Sequence, residues 1–314
     1  MKKYPKLLKL IVGSIYALFL LFITWLVWKN RQLLLTSFSQ ADYRYLFSST
    51  LGYLVGISMM SLGWSSIMRD YTPSMSWQLN AAICYASLAA RNLPGKIWHI
   101  GGRLALYDKV GVSRGITIFA SSIEYVLLCL SGVVVGLCLL VFSNLTISLY
   151  SIGFLLVILL CGLIFLHPSV LKLLVKTQDP DLRLKLNHKH LLAWIWPYLM
   201  TWACSGFVVD QIVRMFIRTS GSETLFIYGS VIISYVLSYV TFFIPMKIGL
   251  SDITLVVLLN QIMPFPVAVS TTLVLRVFGL IIEIIISMVF IPISLKQIAF
   301  FQRQKDLYCQ STVG

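Results

Sequence analysis

Apolar residues occur along this chain in runs of helix length, separated by short polar segments. A spanning helix needs roughly 20 such residues, and six runs are about long enough. They cover residues 10–28, 46–67, 116–142, 147–167, 191–213 and 267–293. The pattern predicts an all-α polytopic membrane protein with about six full-spanning helices.

Two further apolar regions, 77–112 and 225–263, are each interrupted by a Pro-x-Lys-Ile element that begins at Pro94 or Pro245. Proline and lysine at membrane depth are costly unless the protein satisfies the backbone and the charge internally. Each region therefore predicts two shorter helices joined at its element. We favour re-entrant hairpins, but two full crossings have the same parity and stay open as an alternative.

The two breaks lie at corresponding positions of two halves. Glu124 lies 30 residues after Pro94, and Arg276 lies 31 residues after Pro245, each inside an apolar run. Paired breaks of this kind are typical of repeats that enclose a central site. We therefore divide the chain into a spanning helix with an external loop, a first repeat half, a linking helix with a basic loop, a second repeat half and a cytoplasmic tail. The boundaries are 1–45, 46–142, 143–190, 191–293 and 294–314.

Basic residues predict the orientation. Lysines and arginines concentrate in the N-terminal segment, in residues 168–190 and after residue 293, and such segments stay on the cytoplasmic side. Both termini are then cytoplasmic. Counting membrane crossings between these segments then places both ends of the first broken region on the cytoplasmic side and both ends of the second on the outside. Inverted repeats require this opposite orientation.

Composition agrees with a membrane protein and narrows the partners. Hydrophobic residues make up 58% of the chain and charged residues 11%, against about 25% charged in soluble domains. The net charge of +14 is explained by loops beside anionic headgroups, so we expect no nucleic acid. The six cysteines include no C-x-x-C pair, and we expect no metal and no cofactor.

Charged residues within the apolar regions are the candidates for function. The basic ones are Arg91, Lys96, His99, Arg103, Lys247 and Arg276. Phosphate is a fitting partner, because arginine binds it bidentately and lysine binds it as a point charge. Helices that start after Pro94 and Pro245 would point backbone N–H groups at the same anion. Snorkelling to an interface or pairing with carboxylates is the alternative.

The acidic candidates are Glu124, Asp210, Asp252 and Glu283. Glu283 follows Arg276 by seven residues, which places both on one helix face. Buried ion pairs and a proton-coupling carboxylate are both compatible with this pattern. Asp210 lies close to an expected outer boundary, where we predict exposure to water or a pair with Arg214.

These motifs resemble the lysylphosphatidylglycerol synthase transmembrane family, also called the flippase-like membrane domain family. The first is Leu93-Pro94-Gly95-Lys96 with Gly101-Gly102-Arg103, and the second runs from Pro245 to Asp252, followed by the embedded Arg276. The resemblance covers residues 46–293. Lys247 replaces a family glycine, and Asp252 replaces a glutamate. No soluble aminoacyl-transferase domain is present in this sequence, so we expect no lipid aminoacylation by this chain alone.

The resemblance implies a lipid-binding or lipid-translocating protein of a bacterial plasma membrane, acting on an anionic phospholipid or a lipid-linked glycan in envelope biogenesis. The expected headgroup-binding residues are Arg91, Pro94, Gly95, Lys96, Arg103, Pro245, Lys247, Gly249, Asp252 and Arg276. Glu124 and Glu283 are expected to balance charge or couple protons. Envelope-biosynthesis enzymes are the expected protein partners.

Two other classes of function stay open. One is a transferase acting on lipid-linked sugars, or its membrane subunit, for which Asp70 and Asp108 are the available carboxylates. Neither lies in a recognisable donor-binding motif, and no catalytic motif occurs in the sequence. The other is a membrane scaffold that does not transport.

Overall fold

A computed structural model describes residues 28, 31–92, 98–143, 188–240 and 250–313. Within these ranges the chain is helical and contains no strand. The predicted helices over 10–28 (apart from Trp28) and 147–167 lie outside the described residues, as do 93–97 and 241–249, where both Pro-x-Lys-Ile elements fall.

The helices follow the apolar runs of the sequence. In chain order they are α1 (Arg31–Ser39), α2 (Arg44–Tyr71), α3 (Trp77–Ala86), a 3₁₀ turn (Ala89–Asn92), α4 (Trp98–Asp108), α5 (Arg114–Phe142), α6 (His188–Arg214), α7 (Gly221–Val240), α8 (Leu250–Leu259) and α9 (Phe265–Val313). Predicted spans 46–67, 116–142, 191–213 and 267–293 fall within α2, α5, α6 and α9. Since α9 continues to Val313, the predicted boundary at 293/294 lies inside a helix.

Three of these helices are long and apolar enough to cross a membrane. They are α2, α5 and the Phe265–Gln304 part of α9. Each carries apolar side chains that are about half exposed or more, such as Leu51 on α2, Val134 on α5 and Met288 on α9. Such surfaces suit lipid rather than water, and the chain is a helical membrane protein.

The two broken regions differ in their helices. In the first, α3 and α4 have 10 and 11 residues; in the second, α7 has 20 residues and α8 has 10. At about 1.5 Å per residue, the three short helices each rise about 15 Å, half of a hydrocarbon core of about 30 Å. Helix α7 rises about 30 Å, so only the first region consists of two short helices.

Local sequence explains several helix ends. The Ser76 and Ser113 side chains accept hydrogen bonds from the Leu79 and Ile116 amides and cap α3 and α5. Gly111, at φ 78°, makes the turn between α4 and α5, a conformation that side chains with a Cβ disfavour. These caps fix where each helix starts, and thereby where its polar residues lie.

Close packing between α5 and α7 depends on two glycines, Gly132 and Gly136, spaced as in G-x-x-x-G. A Cβ added at Gly132 would lie 2.6 Å from Val236 Cγ2 and 2.8 Å from Trp202 Cζ2. A Cβ at Gly136 would lie 2.8 Å from Ile233 Cδ1. The glycines therefore allow α5 to approach both α6 and α7.

We expect Gly132→Ala to lower the free energy of unfolding by about 1–3 kcal/mol, the usual effect of overpacking. The matched control is Gly101→Ala on α4, where an added Cβ meets nothing within 4 Å and alanine is the better helix former. Thermal unfolding in detergent measures both. Equal stability of the two variants would contradict the close approach.

Candidate functional site

A cavity of about 190 Å³ lies among α2, α4–α9 and the 3₁₀ turn. We call it the charged cavity, because its described lining includes two arginines and two carboxylates within an apolar bundle. The charged residues and the histidine that it brings together from both halves are Arg91, His99, Asp252, Arg276 and Glu283. Charged side chains at such depth are a functional hypothesis by default.

Arg91 projects from the 3₁₀ turn of the first half, and its side chain is 27% exposed. Its Nη1 lies 3.9 Å from Glu283 Oε1 on α9 and 3.4 Å from the Met60 sulfur. Its Nη2 donates to the Tyr239 hydroxyl at 3.2 Å. At 3.9 Å the guanidinium and carboxylate attract each other without a hydrogen bond, which leaves N–H donors available to a ligand.

Arg276 and Asp252 form the second pair of the cavity. Arg276 Nη1 on α9 lies 3.7 Å from Asp252 Oδ2 on α8, and their side chains are 32% and 27% exposed. Arg276 and Glu283 both line the charged cavity, and the carboxylate that lies within 4 Å of the Arg276 guanidinium is that of Asp252. Two arginines thus face one cavity, each beside a carboxylate at a distance too long for a hydrogen bond.

The lining of the charged cavity also contains tyrosines, which the sequence analysis did not single out. The Tyr53 hydroxyl donates to Glu283 Oε1 at 2.9 Å, and the Tyr125 hydroxyl lies 3.0 Å from His99 Nε2. The rings of Tyr125 and Tyr239 meet edge to face at 5.5 Å. Tyr53 and Tyr125 lie well inside long apolar helices, whereas membrane tyrosines usually lie near the interfaces. Their position inside apolar runs is the feature of the sequence that could have identified them as lining residues.

Arg103 and Glu124 form a separate ion pair outside the lining of the charged cavity. Arg103 is 2% exposed and Glu124 is 3% exposed, and Arg103 Nη1 donates to Glu124 Oε2. The guanidinium also lies 3.8 Å from the Trp64 ring centroid, a favourable cation–π distance. Arg103 was predicted to bind a headgroup; its contacts are those of a buried structural pair.

The two halves share one arrangement of charges. In each, an ion pair joins the short helix after the break to the next long helix: Arg103 on α4 to Glu124 on α5, and Asp252 on α8 to Arg276 on α9. The signs are exchanged between the halves. The first pair is buried and the second faces the cavity, so only the second can exchange its partner for a ligand without opening the core.

The other predicted residues fall into two groups. Pro94, Gly95, Lys96, Pro245, Lys247 and Gly249 lie outside the described residues, and their role stays a prediction. The second group are carboxylates away from the cavity. Asp210 binds Arg214 at 2.7 Å, Asp70 accepts from the Trp194 indole at 3.1 Å, and Asp108 pairs with Arg114 at 3.0 Å.

Comparisons with known proteins do not identify a family for this chain. No protein-family model matches the chain, and no curated protein matches it. The functional argument therefore rests on the cavity and its charges.

Proposed function

We propose that this protein binds and translocates a lipid whose headgroup contains phosphate, either a phospholipid or a phosphate-linked glycolipid. The observation that supports this is the charged cavity, in which Arg91 and Arg276 face one space inside a helical membrane protein. Arginine matches the geometry of phosphate oxygens through its planar fork of N–H donors. Each guanidinium has donors available, since its carboxylate lies beyond hydrogen-bond distance.

The size of the cavity fits a headgroup better than a whole lipid. At about 190 Å³ it is smaller than the roughly 300–1,000 Å³ of pockets for drug-sized ligands. Acyl chains would stay outside, against the apolar helix surfaces. Glu283 and Asp252 would then release the arginines to phosphate and face the remaining polar part of the headgroup.

The proposal includes an arrangement of inverted repeats with about six full spans, both termini cytoplasmic, in a bacterial plasma membrane. The two ion pairs of opposite sign support the repeats, since one joins α4 to α5 and the other joins α8 to α9. Rocking one repeat against the other would alternate access to the cavity. The resemblance to the flippase-like membrane domain family supports the same reading.

The proposal is tested by lipid movement in proteoliposomes. We expect fluorescent phosphatidylglycerol and phosphatidylethanolamine to cross the bilayer faster than a phosphate-free glucosyl-diacylglycerol, relative to protein-free vesicles. Lys96→Ala/Lys247→Ala is expected to reduce the movement of the phosphate lipids, since both lysines belong to the Pro-x-Lys-Ile elements. Movement of the phosphate-free lipid at the same rate would refute phosphate recognition. Movement of none of the three would refute translocation of these classes.

A further inference from the structure

A buried serine on α9 connects this helix to the turn that presents Arg91. Ser287 is 1% exposed. Its hydroxyl donates to the Tyr85 carbonyl at 3.0 Å and accepts from the Ala89 amide at 2.8 Å. One side chain from the second half thus satisfies two backbone groups of the first half.

Those two backbone groups lie where the chain leaves α3. The last carbonyls of a helix lack intrahelical donors, and Tyr85 is in the last turn of α3. Ala89 begins the 3₁₀ turn that ends at Asn92. The Tyr85 carbonyl also accepts from the Leu88 amide at 3.2 Å, whereas the Ala89 amide donates to the Ser287 hydroxyl. An unsatisfied backbone group in a membrane interior is costly, so the bond to the Ala89 amide favours one position of this turn against α9.

Arg91 lies two residues beyond Ala89, and its charge meets the same face of α9. Glu283 precedes Ser287 by one helical turn, so both point to one side of the helix. Ser287 holds the backbone of the turn through Ala89, and Glu283 attracts the guanidinium at 3.9 Å. The Tyr85 and Phe290 rings, 4.6 Å apart, add a further contact between α3 and α9.

We infer that Ser287 is a positioning residue of the headgroup site: it holds the 3₁₀ turn in the place from which Arg91 faces the charged cavity. The inference rests on the proposed function and adds a residue that touches no ligand itself. A movement of α9 would displace the turn together with its arginine, which would couple the two halves.

The test compares Ser287→Ala with Ser294→Ala. Ser294 is equally buried on α9, but its hydroxyl bonds only to the Ile291 carbonyl of its own helix, at 2.8 Å. Each variant is purified and titrated with dihexanoyl-phosphatidylglycerol. We expect Ser287→Ala to weaken binding roughly three- to tenfold, since the Ala89 amide loses its hydrogen bond, and Ser294→Ala to leave binding within about twofold of the wild type.

A double-mutant cycle separates positioning from a general loss of stability. If Ser287 acts through Arg91, then Ser287→Ala has no further effect on binding in an Arg91→Gln background. Full additivity of the two losses would overturn the inference, while wild-type binding of the phosphate lipid would leave the proposed function standing.

Amide hydrogen exchange of the segment 85–92 gives a readout that needs no lipid. We expect exchange at Ala89 to be faster in Ser287→Ala than in the wild type or in Ser294→Ala. Unchanged exchange would overturn the inference whatever the protein binds. The amide at Ala89 could exchange faster in Ser287→Ala while the wild type shows no preference for phosphate lipids. That result would refute the proposed function and still support the role of Ser287 in holding the turn.

Discussion

Replacing Glu124 with leucine is expected to lower the free energy of unfolding by about 3–5 kcal/mol, because it leaves the buried Arg103 guanidinium without its counter-ion. Arg103 is 2% exposed. Its remaining contacts, the Trp64 ring at 3.8 Å, the Ser87 hydroxyl at 3.4 Å and the Cys84 sulfur at 3.4 Å, supply no negative charge. Denaturant or thermal unfolding in detergent measures the loss.

Two companion variants identify the cause of that loss. Arg103→Met/Glu124→Leu removes both charges, and we expect it to recover most of the stability, since apolar replacements of buried pairs are often neutral. Asp108→Asn removes one charge of the Arg114–Asp108 pair, whose side chains are 73% and 52% exposed. An exposed pair contributes about 0–1 kcal/mol. A double variant as unstable as Glu124→Leu would show that shape, not charge, dominates at this site.

Removing both cavity arginines with Arg91→Gln/Arg276→Gln is expected to abolish selective binding and movement of phosphate lipids. Hydrogen bonds to charged groups contribute about 1.5–3 kcal/mol each, so each single variant should weaken binding by about ten- to a hundredfold. Glutamine keeps a polar, though shorter, side chain and removes the charge. Titration with short-chain phosphatidylglycerol and the proteoliposome assay measure the effect.

The control for this experiment is Arg69→Gln. Arg69 is exposed near the end of α2, lies 5.7 Å from the Trp77 ring centroid and does not line the charged cavity. We expect it to bind and move lipid like the wild type. If Arg91→Gln/Arg276→Gln retained its preference for phosphate lipids while folded, the charged cavity would not be the headgroup site. Arg91→Lys is expected to be intermediate, because lysine keeps the charge and loses the fork.

Much of the helical framework could be predicted because hydropathy is local. Each residue in a long apolar run contributes to the same outcome, and α2, α5, α6 and α9 accordingly contain the predicted ranges. A break in the first broken region could also be predicted, but α3 already ends at Ala86, and Pro197 and Pro292 lie inside α6 and α9, so proline alone does not fix where a helix ends. The full length of α7 was not predicted, and this helix packs closely against α5, where Gly132 and Gly136 lie next to Val236 and Ile233.

The sequence by itself determined that charges occur within apolar runs and that Arg91, Asp252, Arg276 and Glu283 are functional candidates, because both the charge and the apolar residues around it can be read locally. Only the tertiary structure decided their partners. Arg91 reaches Glu283 in the other half, Arg276 lies beside Asp252, and Arg103 is enclosed with Glu124. Contacts of this kind depend on which helices meet and at what height. The same holds for Tyr53 and Ser287, whose roles come from neighbours that are distant along the chain.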